Sequence, residues 1–248
     1  MTETVLAGTL VEICLEDVGG ARLAAEAGAD AVEVCAGLAD GGTTPTLGFV
    51  RHCAREAPDL EIRVLVRSRS GDFVHAPQDV EVMVADIEAV RQAADPGTRL
   101  GFVIGTLEPE GGVDVAAVRR LVAACDDVPV TFHKAFDSVP DKLAGLGLLG
   151  DLGISRVLTS GGAGPAVDHL PLLAELVARA GADVRVAVGG GVRPDNVAQV
   201  VAATGAREVH LRAPGPVTSA GVSAGYDDGR RSVTSAAVLA EVMAALGR

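Results

Sequence analysis

Two triplets, Glu12-Ile13-Cys14 and Glu33-Val34-Cys35, repeat one order of acid, aliphatic residue and thiol in consecutive strand-like segments. Side chains on a strand alternate between its faces, so in each triplet the Glu and the Cys share one face and the aliphatic residue takes the other. On neighbouring strands, two carboxylates and two thiols would then point the same way. Carboxylates so placed serve ion pairing or proton transfer. Thiolates are ligands for soft metals. Packing alone seldom buries four such groups.

The elements that must position these groups follow from a repeated junction. Gly28-Ala29-Asp30, Gly153-Ile154-Ser155, Gly181-Ala182-Asp183 and Gly205-Ala206-Arg207 each end a helical pattern and lead directly into a β-branched run. Gly stops a helix because it reaches the left-handed conformation cheaply. Strands are expected over 10–15, 31–36, 62–68, 100–106, 130–135, 156–160, 184–189 and 208–212, with helical patterns between them. Eight such units predict an α/β fold, a (β/α)8 TIM barrel formed by a single domain over residues 1–248. A doubly wound open sheet fits less well, because no Gly-x-Gly-x-x-Gly opens the first helix. A loop is expected over 219–231 and a last helix over 234–246.

In a barrel the outer strand face packs on helices, and Val11, Ile13, Val32, Val34, Val64, Val66, Val209 and Leu211 meet that demand. The inner face then carries Glu12, Cys14, Glu33, Cys35, Arg67, His133 and His210. These lie late in their strands, at the end where barrel active sites form. The alternation of the sixth strand reads either way.

The strand ends carry an ordered set of motifs: Gly41-Gly42-Thr43-Thr44-Pro45-Thr46, Arg67-Ser68-Arg69-Ser70-Gly71-Asp72-Phe73, Thr131-Phe132-His133-Lys134-Ala135-Phe136-Asp137, Leu158-Thr159-Ser160-Gly161-Gly162 and Gly189-Gly190-Gly191-Val192-Arg193. Together they resemble the CutC family, named for copper homeostasis, from about residue 10 to 211. The resemblance implies a (β/α)8 barrel, a cytoplasmic location, a homo-oligomer, and Cu(I) binding through cysteines that match Cys14 and Cys35. Ser68 and Ser70 stand where the family usually has Pro and Gly. Lys134 stands where Arg is usual, and Leu211-Arg212 adds a cation near the mouth.

Each group also has a plainer role. A free Cys is among the most buried residue types and often just packs. Neighbouring strands lie about 4.8 Å apart, so two late-strand thiols could also approach disulfide geometry, which a reducing cytosol opposes. Against these stands the softness of a thiolate pair, which suits low-coordinate Cu(I). Cys53 and Cys125 have no partner spacing and read as structural. Glu12 and Glu33 form either an ion-pair network with Arg67, Arg63 or Arg69, or a general acid and base beside a cationic clamp. His133, His210 and Asp137 read with them as catalytic candidates, and Arg67 as the clamp. Asp137 could instead cap the next helix, and Asp72 has the same double reading. Arg69, Asp72, Ser160, Gly161, Gly189, Gly190 and Gly191 are the candidate substrate-binding residues, the glycines because amides at such a turn cradle anions.

The composition narrows the classes. The chain has 248 residues, 48% of them hydrophobic, and a net charge of −12. That is enough for one sizeable core and the wrong charge for nucleic acid. No apolar run reaches membrane-spanning length. Met1-Thr2-Glu3-Thr4 carries no signal-like start, and four cysteines make no disulfide framework. The expected partner is a copper ion or a small anionic metabolite. The two functional expectations are a cytoplasmic Cu(I)-binding protein and, as the alternative, a barrel enzyme acting on a small phosphorylated or carboxylated substrate.

Overall fold

The computed structural model describes residues 6–181, 184–219, 221 and 229–248. Met1–Thr4, Ala182 and Asp183 of the third junction, and most of the expected 219–231 loop lie outside the described residues. Eight parallel strands close into a barrel in sequence order, β8 pairing back onto β1. They are β1 (Leu10–Leu15), β2 (Ala31–Val34), β3 (Glu61–Leu65), β4 (Arg99–Ile104), β5 (Val130–Phe132), β6 (Arg156–Thr159), β7 (Arg185–Gly189) and β8 (Glu208–Leu211). Around them run α1 (Gly20–Glu26), α2 (Leu47–Glu56), α3 (Pro77–Ala93), α4 (Val115–Cys125), α5 (Lys142–Asp151), α6 (Leu170–Ala180), α7 (Val197–Thr204) and α8 (Ala236–Ala245).

Local signals set these boundaries. Gly28 and Gly153 turn the chain after α1 and α5 at φ of 84° and 86°. Side chains of Thr46, Asp114, Asp141 and Ser235 accept amide hydrogens at the starts of α2, α4, α5 and α8. Each satisfies one of the amides that a helix start leaves without a partner. All eight residues expected on the outer strand face are buried in the barrel–helix core. Cys14, Cys35, Leu65 and Val103 form a separate apolar cluster inside the barrel.

Two expectations are corrected. Residues 214–218 and 230–234 form an antiparallel hairpin, β9 (Pro214–Thr218) with β10 (Arg230–Thr234), which flanks the expected 219–231 loop and takes Arg230 and Arg231 from it. Its register places Pro214 and Pro216 opposite Thr234 and Ser232. Proline lacks a donor and is tolerated only at such edges. Fifth-strand pairing stops at Phe132, because the His133 ring accepts the Ala135 amide at 3.1 Å and opens a short 3-10 turn, Lys134–Ser138.

Candidate active site and metal centre

The inner face of β4 explains how large polar side chains fit inside the barrel. Gly101, Val103 and Gly105 follow one another on that face. A Cβ at Gly101 would lie 3.1 Å from the Arg63 side chain, and one at Gly105 would lie 2.3 Å from the His133 ring. Gly189 does the same for His210, at 3.1 Å. Gly189 thus makes room beneath the site, while Gly190 and Gly191 line it.

Deepest lies an ion network. Glu12 accepts from Arg63 Nη1 at 2.6 Å, from Arg156 Nη2 at 2.7 Å and from His210 Nδ1 at 2.5 Å. Glu208 shares the same two arginines and also meets Arg185 at 3.4 Å. Burial alone would raise the Glu12 pKa, but Arg156 and Arg63 reverse this and hold it well below the carboxylate range. Glu12 therefore belongs to the barrel's ionic interior and does not line the cavity, contrary to its expected place in the mouth. Its partner Arg156 is the residue that the ambiguous sixth strand concealed.

Above the network, Cys14 and Cys35 are free, with sulfurs 3.7 Å apart. The Glu33 carboxylate completes a group whose ligand atoms lie within 4.8 Å of one another. The Cys35 thiol donates to Cys14 and His210 adds a second stabilising contact. Together they outweigh burial and lower the Cys14 pKa to about 5. Burial and the Cys14 charge raise Glu33 to about 8. Burial and the neighbouring Cys14 likewise push Cys35 upward. Burial opposes charge on His210, but Glu33, Cys14 and Glu12 prevail and raise it to about 10. The four groups titrate as one coupled set, in which negative charge is favoured on Cys14 and positive charge on His210.

Cys14, Glu33, Cys35, Arg67, His133 and His210 line one cavity of about 270 Å³ at the C-terminal end of the strands. Arg67 does not pair with Glu12 or Glu33, contrary to the expectation that these carboxylates engage its fork in the empty site. Strand pairing ends at Leu65, and the guanidinium turns to the loops: Nη1 donates to the Gly42 carbonyl at 2.8 Å and Nη2 to that of Gly71 at 2.5 Å. It also lies 4.8 Å from the Phe73 ring centre. Thr44 and Arg67 exchange backbone and hydroxyl hydrogen bonds, which ties the Gly41–Thr46 motif to the end of β3. Arg67 Nε is buried without a partner.

The remaining candidates stand around this cavity without lining it. Asp137 accepts from Thr159 Oγ1, from the Ser160 amide and hydroxyl, and from Lys134 Nζ at 3.1 Å. It braces the β6 end, and Asp141 caps α5 in its place. Ser160 is held by Asp137, and the Gly161 amide donates to Thr159 Oγ1. Arg69 pairs with Asp72 and Asp79 in the surface loop after β3, where the Asp72 side chain is 71% exposed. Sequence reasoning missed Arg193 as a wall residue and named Lys134 and Arg212 only as departures; all three line the cavity. Their signal was position: Lys134 and Arg193 belong to strand-end motifs, and Arg212 directly follows β8.

His133 is buried and neutral. Its Nδ1 accepts the Ala135 amide, so the ring proton sits on Nε2, which has no partner among the described residues. Burial, then Arg67 and His75, lower its pKa to about 3. An unfolded His titrates near 6.5. A lowered folded pKa contributes stability that is present above the unfolded value and is lost as pH falls through the folded one. His133→Asn keeps an acceptor for Ala135 and removes the titration. Urea midpoints of the wild type should therefore fall relative to the variant between about pH 6.5 and 3. Parallel curves would show that His133 titrates normally.

Fold and site define a (β/α)8 barrel whose mouth combines a thiol pair, an acid–imidazolium couple and several cations. The chain belongs to the CutC family, whose profile matches residues 9–215. It is 39% identical over 207 residues to the copper homeostasis protein cutC homolog of Homo sapiens, covering 83% of this chain and 74% of that protein. It is 40% identical over 211 residues to a family protein CutC of Caulobacter vibrioides, covering 85% and 84%. The crystal structure of a CutC protein from Streptococcus agalactiae superposes with a TM-score of 0.77 at 28% identity, over 82% of this chain and 98% of that one.

Proposed function

We propose that the protein binds Cu(I) between Cys14 and Cys35 as cargo in copper homeostasis. The observation that carries this reading is the pair of free sulfurs 3.7 Å apart at the cavity floor, with Glu33 as a third donor within reach. Two thiolates and little else suit Cu(I), whereas zinc sites want four ligands. The name that curated relatives carry supports the same metal. Free thiols need a reducing compartment, so the cytoplasm is the proposed location. The homo-oligomer that the family resemblance implies is proposed with it.

Anaerobic Cu(I) titration against a competing chelator tests the site. Cys14→Ser and Cys35→Ser should each weaken binding by at least the roughly 10–100-fold that losing a supporting partner costs a metal site. Cys53→Ser, on the buried face of α2 and outside the cavity lining, should match the wild type. Equal affinity in all four proteins would remove the pair as the site.

A second reading is favoured by the composition of the wall. A neutral His133 with an unpartnered Nε2, a Cys14 thiolate and a protonated Glu33 are acid–base groups beside Arg67, Lys134, Arg193 and Arg212. Such a set fits an enzyme acting on a small phosphorylated or carboxylated compound.

A further inference from the structure

A metal ion held by two sulfurs would fill only the floor of a 270 Å³ cavity. The rest of the wall mixes apolar residues such as Leu65, Phe73 and Leu158 with four cations. Arg67, Lys134, Arg193 and Arg212 line it, in a chain whose net charge is −12. Two of these cations have a carboxylate partner: Lys134 pairs directly with Asp137 at 3.1 Å, and Arg212 meets Glu16 more loosely at 3.7 Å. The other two have no carboxylate partner among the described residues. Arg193 donates to the Val192 carbonyl at 2.8 Å. Arg67 is 3% exposed, hydrogen-bonded only to carbonyls, and its buried Nε is unpartnered. A buried guanidinium without a counter-charge is costly, and an anion in the cavity relieves that cost. The His133 Nε2 proton is a further unpartnered donor on the same wall. Gly190 leaves room for the Lys134 ammonium: a Cβ there would lie 2.7 Å from Lys134 Nζ.

This wall suits an anion and repels a naked cation, yet the floor suits Cu(I). One chemical class satisfies both. Cu(I) in a thiol-rich medium is held by thiolates, and when those thiols carry carboxylates the complex is an anion. We propose that the cargo arrives as an anionic complex of Cu(I) with a small carboxylate-bearing thiol, its carboxylates on Arg67 and Arg193 and its metal at Cys14 and Cys35. This rests on the thiol-pair reading and adds the identity of the donor. The transfer is a ligand exchange in which copper stays Cu(I). The Cys14 thiolate bonds to copper as one copper–donor sulfur bond breaks. The Cys35 proton passes to a departing donor thiolate, and the Cys35 sulfur takes the second position. One free thiolate and one free thiol leave, so charge and protons balance.

The test uses two donors under anaerobic conditions: Cu(I) with excess mercaptosuccinate, a thiol made anionic by two carboxylates, and Cu(I) with excess 2-mercaptoethanol, a neutral thiol that carries none. The readout is the ratio of transfer rate constants, anionic over neutral, in each protein. Arg193 is exposed, so Arg193→Gln leaves the core intact, and Arg212→Gln is a second variant at the rim. Losing a charge-assisted hydrogen bond should lower the ratio about tenfold in Arg193→Gln relative to the wild type. Succinate, which has the carboxylates and no sulfur, should slow the anionic donor and spare the neutral one. Equal ratios in the wild type and both variants, with no effect of succinate, would overturn the anionic donor while leaving the thiol pair standing. Failure of both donors to load the wild type would instead overturn the thiol pair itself.

Discussion

Glu12→Gln should destabilise the fold by about 3–5 kcal/mol, the cost of breaking a buried ion pair from one side. The carboxylate faces donors on every side: Arg63, Arg156 and His210. A glutamine amide keeps one acceptor and turns its own donor toward a guanidinium. Two arginines then share Glu208 alone, inside a barrel where water cannot replace the lost charge. Urea unfolding should show a lower midpoint with an unchanged slope. The folded-state pKa of Glu12 is lowered, so its contribution is present above the unfolded carboxylate value of about 4.3 and is lost as pH falls through the folded one. The gap between wild type and variant should therefore close in acid. The exposed pair Arg22–Glu26 is the control: Arg22→Ala should change stability by less than about 1 kcal/mol. An equally small loss in Glu12→Gln would mean that the network carries no net charge–charge stabilisation.

Cys14 should ionise with a midpoint at about pH 5, where an ordinary thiol has its midpoint near 9. At pH 7 an ordinary thiol is only a few per cent thiolate or less, so the difference in thiolate fraction is on the order of a hundredfold. The largest cause is the hydrogen bond from Cys35, with His210 behind it. Cys35→Ala should therefore raise the midpoint most, Cys35→Ser less because a hydroxyl still donates, and His210→Gln to an intermediate extent. Iodoacetamide alkylation followed across pH reads this. The midpoint is the measure rather than the rate, because a thiolate of low pKa is intrinsically less nucleophilic. Cys53 and Cys125, which burial pushes up to about 12, supply little competing signal. A wild-type midpoint near 9, or one that neither Cys35→Ala nor His210→Gln moves, would contradict the arrangement.

Much of this was legible because strand alternation is rigid. Once Val11, Ile13, Val32 and Val34 face the helices, Glu12, Cys14, Glu33 and Cys35 can only face inward, and the register Cys14↔Glu33 brings the triplets side by side. Depth was harder to read. Glu12 precedes Cys14 by two residues, a step of roughly 6–7 Å along a strand, and that step separates the ionic interior from the cavity. Glu208 stands in the same relation to His210, so the pattern was present twice. It could not be completed without Arg156, whose strand carries no clear alternation. Arg67 illustrates a different limit. Alternation gave its face, but the carbonyls of Gly42 and Gly71 that capture its fork come from loops whose paths no periodicity encodes. The β9–β10 hairpin was hidden for a related reason: proline at 214 and 216 argues against a strand unless its partner is known to lie at an edge.

The charged layer under the thiols has a consequence for traffic. Glu12, Glu208, Arg63 and Arg156 fill the barrel below the thiols, and the mouth cavity shares no lining residue with the cavity at the opposite end, which Arg63 and Glu208 line. On the copper reading proposed above, an ion held at the thiols would not be relayed along the barrel axis from a donor at one end to an acceptor at the other. Whatever delivers it and whatever collects it must use the same opening, one after the other. The route itself then imposes no direction. Direction comes from which visitor holds the ion more tightly and which is more abundant at the door.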